Sequence, residues 1–336
     1  MKKTYIITGA NGHLGNTMIR ILRKSGAQIR GLILPGEQVS GGANIRYIEG
    51  DVRDAASLEA LFEGLEDRDV YVIHTAGIID ISEHVSERMY EVNVGGTRNI
   101  VRLCLEHRVK RLVYVSSVHA IPEKGKLNVL KEVQHFSPDE VVGGYAKTKA
   151  EATQIVLDAV QEGLDAVVVH PSGILGPYDT NGNHLVQMVQ DYIRGKLPAC
   201  VRGGYDFVDV RDVAKGILAC AENGEPGKGY ILSGHYITIR RMLQIVGKAA
   251  KLIYRPICLP LKLARLAAPY CERRCLKEKK PLFFTPYSIS VLGSNGRFTH
   301  DAATERFAYR PRPIEETLRD MTAWLVSQKA KAGSAL

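Results

Sequence analysis

None of the six cysteines (Cys104, Cys200, Cys220, Cys258, Cys271 and Cys275) belongs to a CxxC pair or stands at a ligand-like spacing from a histidine. That argues against a zinc site or a disulfide framework and leaves reduced, mostly buried thiols of the kind a cytosolic protein carries. No metal is expected. No uninterrupted apolar run approaches the length of a membrane span. The apolar stretch behind the basic start MKKTYII ends at Thr8-Gly9, short of a signal-peptide core, so the expected location is the cytoplasm. Tryptophan occurs once, aromatics make up 7% of the chain, and the lysines and arginines are scattered except at ERRCLKEKK (Glu272 to Lys280). The aromatic-plus-basic pattern of nucleic-acid modules is therefore missing despite a formal charge of +9, and no nucleic-acid partner is expected. The excess charge mildly favours anionic small-molecule ligands. Internal repeats, low-complexity tracts and long linkers are absent too.

What is present is an ordinary globular composition, 45% hydrophobic and 24% charged over 336 residues, enough for one sizeable core and a second, smaller lobe. Short apolar runs at Tyr5–Thr8, Ile29–Leu34, Ile45–Ile48, Val70–Ile73, Leu112–Val115 and Ala166–Val169 read as buried strands. Helical stripes alternate with them. Leu14, Met18 and Leu22 form one, closed by Gly26. Leu58, Leu61, Phe62 and Leu65 form another behind Asp54 as N-cap. A long helix passes through Met89, Val92, Gly96, Ile100 and Cys104, and a further one covers Tyr145 to Gln161. Continuous apolar strands alternating with helices predict an α/β fold, a parallel sheet covered on both faces. Past Pro171 the rhythm breaks, with Tyr230–Leu232 returning to the sheet as a late strand. The expected division is a dinucleotide-binding domain over residues 1–170 and a mainly substrate-binding lobe over 171–330, from which segments around 205–232 return.

The stretch TGANGHLG, Thr8 to Gly15, sits between the first strand and the first helix. In that setting Gly9 permits a tight turn, Gly12 lets backbone approach a pyrophosphate, and Gly15 lets helix pack on strand. Free N–H groups at the helix start favour the anion. Asn11, His13 and Leu14 belong to the same candidate cofactor site. After the third strand Asp51-Val52 offers a carboxylate to an adenine amino group. The small residues of HTAG (His74 to Gly77), with Thr75, Ala76 and Gly77 as candidate contacts, suit a backbone passing close beneath a ligand.

TGANGHLG, DV at Asp51, HTAG, NVGGT from Asn93, Ser116-Ser117, YAKTK (Tyr145 to Lys149), HPSGILGP from His170 and FVDVRDVA (Phe207 to Ala214) occur in the order of the extended short-chain dehydrogenases/reductases. The ending YRPRPIEETLRDMTAWL (Tyr309 to Leu325) is similar as well. The chain resembles this epimerase/dehydratase family over about nine-tenths of its length. It looks nearest the dihydroflavonol reductase and 3β-hydroxysteroid dehydrogenase branch. The resemblance implies a Rossmann-type doubly wound sheet with a smaller C-terminal substrate lobe, an NAD or NADP cofactor, and a small-molecule substrate. A homodimer paired through the long helices is compatible with it.

Tyr145 and Lys149 are four residues apart, so a helix projects both from one face. A lysine ammonium, and a nicotinamide that is cationic when oxidised, would lower the phenol's ordinary pKa of about 10. By resemblance Tyr145 transfers the proton, Lys149 also bonds the nicotinamide ribose, and Ser117, rather than Ser116, donates to the substrate oxygen. The resemblance likewise gives Asn93 the task of holding the helix bend and a relay water near the lysine. Pro171 to Gly173 would turn the chain and offer backbone groups to the nicotinamide carboxamide.

Two departures matter. At the end of the second strand stand Ile33 and Leu34, with neither the acid that often selects NAD nor the arginine that often selects NADP. Lacking a partner for a 2′-phosphate, the sequence leans to NAD, with Arg30 the nearest rival cation. Val118-His119 follows the serine where dehydratases carry acids, which argues against dehydration. His119 reads more readily as a scaffold residue than as a substrate contact.

Ile257 to Phe284 reads as a substrate-covering helix with its charges in water. The alternative, an interfacial helix on anionic lipid, is weakened by Pro260 and Pro269. The expected activity is interconversion of a ketone and a secondary alcohol on a fairly apolar, cyclic substrate. Tyr205 stands where sugar-nucleotide epimerases carry a diphosphate-binding arginine, with Arg202 a partial substitute. Ile121, Leu127, Val129, Leu130, Ile174, Leu175, Phe283 and Phe284 are the apolar residues expected near the nicotinamide. The rivals are an epimerase that uses the same hydride transfer transiently, and a dinucleotide sensor that would not need the tyrosine.

Overall fold

A computed structural model of the chain describes residues 2–80, 83–123, 128–197, 199–253, 256–277, 285–293 and 296–333. Strand β1 (Lys3–Thr8) leads through the glycine loop into α1 (His13–Leu22), followed by β2 (Gln28–Ile33) and β3 (Ile45–Glu49). Then come α2 (Ala55–Leu58), β4 (Asp69–His74), α3 (Glu87–Tyr90), α4 (Gly96–Glu106), β5 (Arg111–Val115), α5 (Gly144–Gln161) and β6 (Ala166–Pro171). These six strands, joined by a late strand at Gly229–Leu232, form a seven-stranded parallel sheet. Its order puts β1 beside β4, so successive connections leave in opposite directions there, the crevice where open α/β sheets bind ligands. Alternation along each strand feeds two cores. Ile7 joins Met18 and Leu22 of α1 on one face, while Ile6 joins Ile100 of α4 and Val156 of α5 on the other.

After β6 the chain builds β7 (Gly173–Leu175), α6 (His184–Ile193), β8 (Ala199–Val201) and β9 (Gly204–Asp209). It returns with α7 (Val210–Asn223) and β10 (Gly229–Leu232), then adds β11 (His235–Thr238), α8 (Ile239–Ala249), β12 (Ile257–Leu259), α9 (Leu261–Lys277) and α10 (Pro286–Leu292). Helices α11 (Asp301–Phe307) and α12 (Ile314–Gly333) close the chain. Strands β7, β9 and β11 make a three-stranded sheet, and β8 pairs with β12. The return to the first lobe is wider than a single strand. Val213 and Ile217 of α7 and Ala303 of α11 join the same core as α1.

Several local expectations change. The stripe Leu58, Leu61, Phe62 and Leu65 is buried, yet only Ala55–Leu58 is α-helical; a 3-10 turn follows and Gly64, at φ 67°, turns the chain. Asp54 does cap, accepting from the Ala56 N–H. Helix α1 ends at Leu22, so Gly26 (φ 73°) serves the turn into β2 rather than the cap. The long helix through Met89 and Cys104 is interrupted by a π-helical turn at Glu91–Gly95, which contains Asn93. Such turns inside helices often mark functional sites.

Candidate active site

The glycine loop is shaped by backbone contacts that side chains would destroy. Gly9 adopts φ 65°, and a Cβ there would lie 3.0 Å from the Ala76 nitrogen. A Cβ on Gly15 would sit 2.2 Å from the Gly9 carbonyl oxygen, so helix and loop meet there without room for a methyl group. Gly12 N-caps α1 with no side-chain hydrogen bond, and the first turn holds no acid. The helix start therefore keeps backbone donors for an anion, which fits a dinucleotide pyrophosphate. Beneath it, Thr8 Oγ1 accepts from the Thr75 and Ala76 N–H groups at 3.2 Å and pairs with His74 Nδ1 at 2.7 Å. Burial pushes His74 down to about 3, so it latches β1 to β4 as a neutral ring.

On α5, Tyr145 and Lys149 both face the cavity. Lys149 Nζ donates to the Val115 carbonyl at 2.8 Å and to Tyr114 Oη at 3.4 Å, and burial lowers its pKa to about 7. Burial raises Tyr145 above its ordinary range, partly offset by a hydrogen bond from Ser117. The lowering expected from Lys149 is not seen: the lysine is turned to the Val115 carbonyl and Tyr114, and burial and the hydrogen bond with Ser117 set the phenol. Ser116 is committed to Thr153 Oγ1 at 2.7 Å, whereas Ser117 caps the turn at His119, accepting its N–H at 3.2 Å. Asn93 ties the segment after β4 to α5: its Oδ1 accepts from the Ile78 N–H, and its Nδ2 donates to the Ile78 carbonyl and Thr148 Oγ1.

One cavity of about 610 Å³ gathers Gly9, Gly12, His13, Leu14, Gly15, Thr75, Ala76, Gly77, Ser117, Tyr145, Lys149, Pro171 and Gly173 on its wall. Four sequence candidates are not on that wall. Asn11 accepts from Asn181 through its carbonyl, and Val52 is buried against Gly96. Asp51 is gripped by Arg53, which holds its carboxyl below the usual range, and Asn93 lies behind. The wall also holds residues without a sequence expectation, among them polar Asp179, Asn183 and His184, and apolar Leu185 and Met188 of α6, Val201 of β8, Ile239 at the start of α8, and Tyr287, Ile289 and Leu292 of α10. The sequence signal of the apolar ones is apolar spacing, which core residues share. Of the apolar set expected near the nicotinamide, Ile174 lines the cavity. Ile121, Leu130 and Leu175 are buried away from it, and Val129 is half exposed to solvent. Leu127, Phe283 and Phe284 lie outside the described residues.

His119 lines the cavity as well, stacked on Tyr205 at 5.6 Å and within 3.3 Å of its hydroxyl. Burial drops His119 to about 4, keeping it neutral. At the end of β2, the Glu37 carboxylate accepts from the Leu34 N–H and that of Glu49 from Gly36. Arg30 points elsewhere, donating to the Leu61 and Glu63 carbonyls. No group of three His, Cys, Asp or Glu side chains among the described residues could hold a metal.

A strand-end crevice with a glycine-lined helix start and a Tyr-Lys-Ser cluster defines a nicotinamide-dinucleotide enzyme. The chain belongs to the NAD dependent epimerase/dehydratase family, whose profile matches residues 5–233, and is an NAD(P)-dependent enzyme of the extended short-chain type. It is 31% identical over 330 residues to sterol demethylase protein B of Methylococcus capsulatus, covering 96% of this chain and 98% of the relative. A putative dihydroflavonol 4-reductase of Synechocystis sp. is also 31% identical, over 339 residues, with 96% and 95% covered. Among solved structures, that of gox2253 superposes with a TM-score of 0.81 at 28% identity, covering 97% of this chain and 98% of the other.

Proposed function

We propose that the enzyme interconverts a ketone and a secondary alcohol on a fairly apolar, cyclic substrate of the hydroxysteroid or dihydroflavonol kind. The observation that carries this reading is the composition of one cavity. The wall that holds Tyr145 and Ser117 also holds Leu185, Met188, Val201, Ile289 and Leu292, and among the described residues Lys149 is its only lysine or arginine. An apolar ring system is favoured by such a surface, whereas a second pyrophosphate would lack a bidentate cation. Arg202, the partial substitute, is exposed and off the wall. The names of the sterol demethylase protein B and dihydroflavonol reductase relatives support the same substrate class.

A bound dinucleotide supplies or accepts the hydride. The backbone around Gly9, Gly12 and Gly15, with Asn11, His13 and Leu14, would hold its pyrophosphate. Asp51 and Val52 would serve the adenine end, and Thr75–Gly77, Pro171 and Gly173 the nicotinamide end. The lean is to NAD, because Glu37 and Glu49 surround the end of β2 while Arg30 is spent on carbonyls.

Tyr145 acts as the acid–base. With its pKa raised by burial it is a neutral phenol at pH 7, the form that donates a proton to a carbonyl oxygen gaining charge. Ser117 donates a hydrogen bond to the same oxygen. Lys149, poised near neutrality, would hold the nicotinamide ribose and would pass to Tyr145, between turnovers, a proton that it regains from water. Asn93 is a positioning residue acting through Ile78 and Thr148. Residues 1–170 then serve mainly the cofactor and 171–330 mainly the substrate.

The test is a panel of sterol and flavonoid-like ketones and alcohols with NAD(P)(H), run beside a panel of sugar nucleotides. Net change in nicotinamide absorbance with the apolar panel is the expected result. Epimer formation without net cofactor change would overturn the reading in favour of an epimerase.

A further inference from the structure

Exposed apolar side chains gather in one stretch outside the cavity. Ile253, Ile257, Leu263, Leu266 and Tyr270 are 97%, 70%, 56%, 79% and 69% exposed. Helix α9 buries one side through Ala264 and Ala268, packed with Val201, Ile289, Leu261 and Leu292. Leu263, Leu266, Ala267 and Tyr270 recur at i, i+3, i+4 and i+7, the spacing of a single stripe, and all four are exposed. The helix thus turns alanines inward and larger apolar side chains outward. Charged residues do not have the solvent face to themselves, as the sequence led one to expect.

The same helix carries five basic residues, Lys262, Arg265, Arg273, Arg274 and Lys277, against one acid, Glu272. Pro269 lies within it without ending it. Among the described residues no helix is long and apolar enough to cross a membrane. An exposed apolar stripe beside a row of cations suits a surface that offers both hydrocarbon and negative charge. A second copy of this chain would bring the same cations face to face, which disfavours a dimer through this side.

We infer that the outer face of α9 docks on an anionic lipid bilayer surface. Its partner helix α10 lines the cavity through Tyr287, Ile289 and Leu292, so docking sets the substrate side of the enzyme against the membrane. The inference stands apart from the substrate reading, because vesicle binding is measured without turnover.

The experiment is co-sedimentation of the full chain with phosphatidylcholine vesicles and with vesicles of equal parts phosphatidylcholine and phosphatidylglycerol, at low and high salt. Binding should favour the anionic vesicles and weaken with salt. Replacing Leu263, Leu266 and Tyr270 together by Ser should reduce affinity about tenfold or more. Lys262→Gln with Arg273→Gln should weaken binding to anionic vesicles alone. NADH binding, retained in both variants, reports an intact fold. Equal partition of parent and both variants, or no partition into anionic vesicles, would overturn the inference. So would a dimer in sedimentation velocity that the triple replacement converts to monomer.

Discussion

One side of the cavity is built from strand ends and backbone, the other from side chains that four separate elements bring together. On the first side Gly9, Gly15 and Ala76 approach so closely that a single Cβ at Gly15 would stand 2.2 Å from a carbonyl oxygen. On the second, Met188, Val201, Ile239 and Leu292 meet through ordinary apolar packing. Backbone geometry tolerates almost no change, while an apolar wall accepts exchanges of similar volume. A ligand common to many enzymes suits the first side. Selectivity among substrates is more easily adjusted on the second.

Substitutions can break or sharpen that contrast. The largest effect is expected between the two sides, where Tyr145→Phe should slow turnover by ~10²–10⁴-fold while NADH still binds. Near-parental turnover in that variant would move the acid–base role elsewhere. On the backbone side, Gly12→Val should abolish measurable NADH binding with the circular dichroism spectrum unchanged, since its side chain intrudes on the helix start. Unaltered affinity in a folded protein would remove the glycine loop from the cofactor site. On the side-chain side, Met188→Ala should lower kcat/KM for an accepted apolar ketone about tenfold and leave NADH affinity alone. An equal loss on both would mean the two halves are not separable. The smallest effect is expected at the end of β2. There NAD(H) should bind more tightly than NADP(H) in fluorescence titrations, and Glu37→Gln should narrow the gap by no more than about fivefold, as for an exposed charge.

The same contrast explains what could be read in the chain. Gly9, Gly12 and Gly15, or Tyr145 and Lys149, are near neighbours in sequence, so their geometry follows from one turn or one helix. The strands of the main sheet likewise carry their own signal as apolar runs. Leu185, Ile239 and Ile289 have no local mark that separates lining from core, and only the docking of α6, α8 and α10 brings them together. The Asn93 bonds to Ile78 and Thr148 depend on a π-helical turn that no periodicity announces. At Asp51 the carboxylate is legible along the chain, but the grip of Arg53, its neighbour but one, and its place off the cavity wall are not.

The buried amine of Lys149 links folding to proton concentration. Its pKa falls from an ordinary value of 10.5 to about 7 on folding, so below pH 7 both states carry the proton and the folded one bears the full cost of burying charge. Between pH 7 and 10.5 the unfolded chain still holds that proton while the folded protein has released it, and stability rises with pH. The neutral, buried His74, His119 and His170, lowered to about 3, 4 and 4, add a rise at lower pH that ends near the ordinary value of 6.5. Above about pH 9 the slope reverses, because the buried thiols of Cys104, Cys200 and Cys220, raised from 9.0, and then Tyr145 and Tyr114 ionise in the unfolded chain first. The unliganded enzyme should therefore melt highest on the alkaline side of neutrality. Differential scanning calorimetry from pH 5 to 11 should find that maximum, and Lys149→Met should flatten the climb between about pH 7 and 9 while leaving the histidine-driven rise in place.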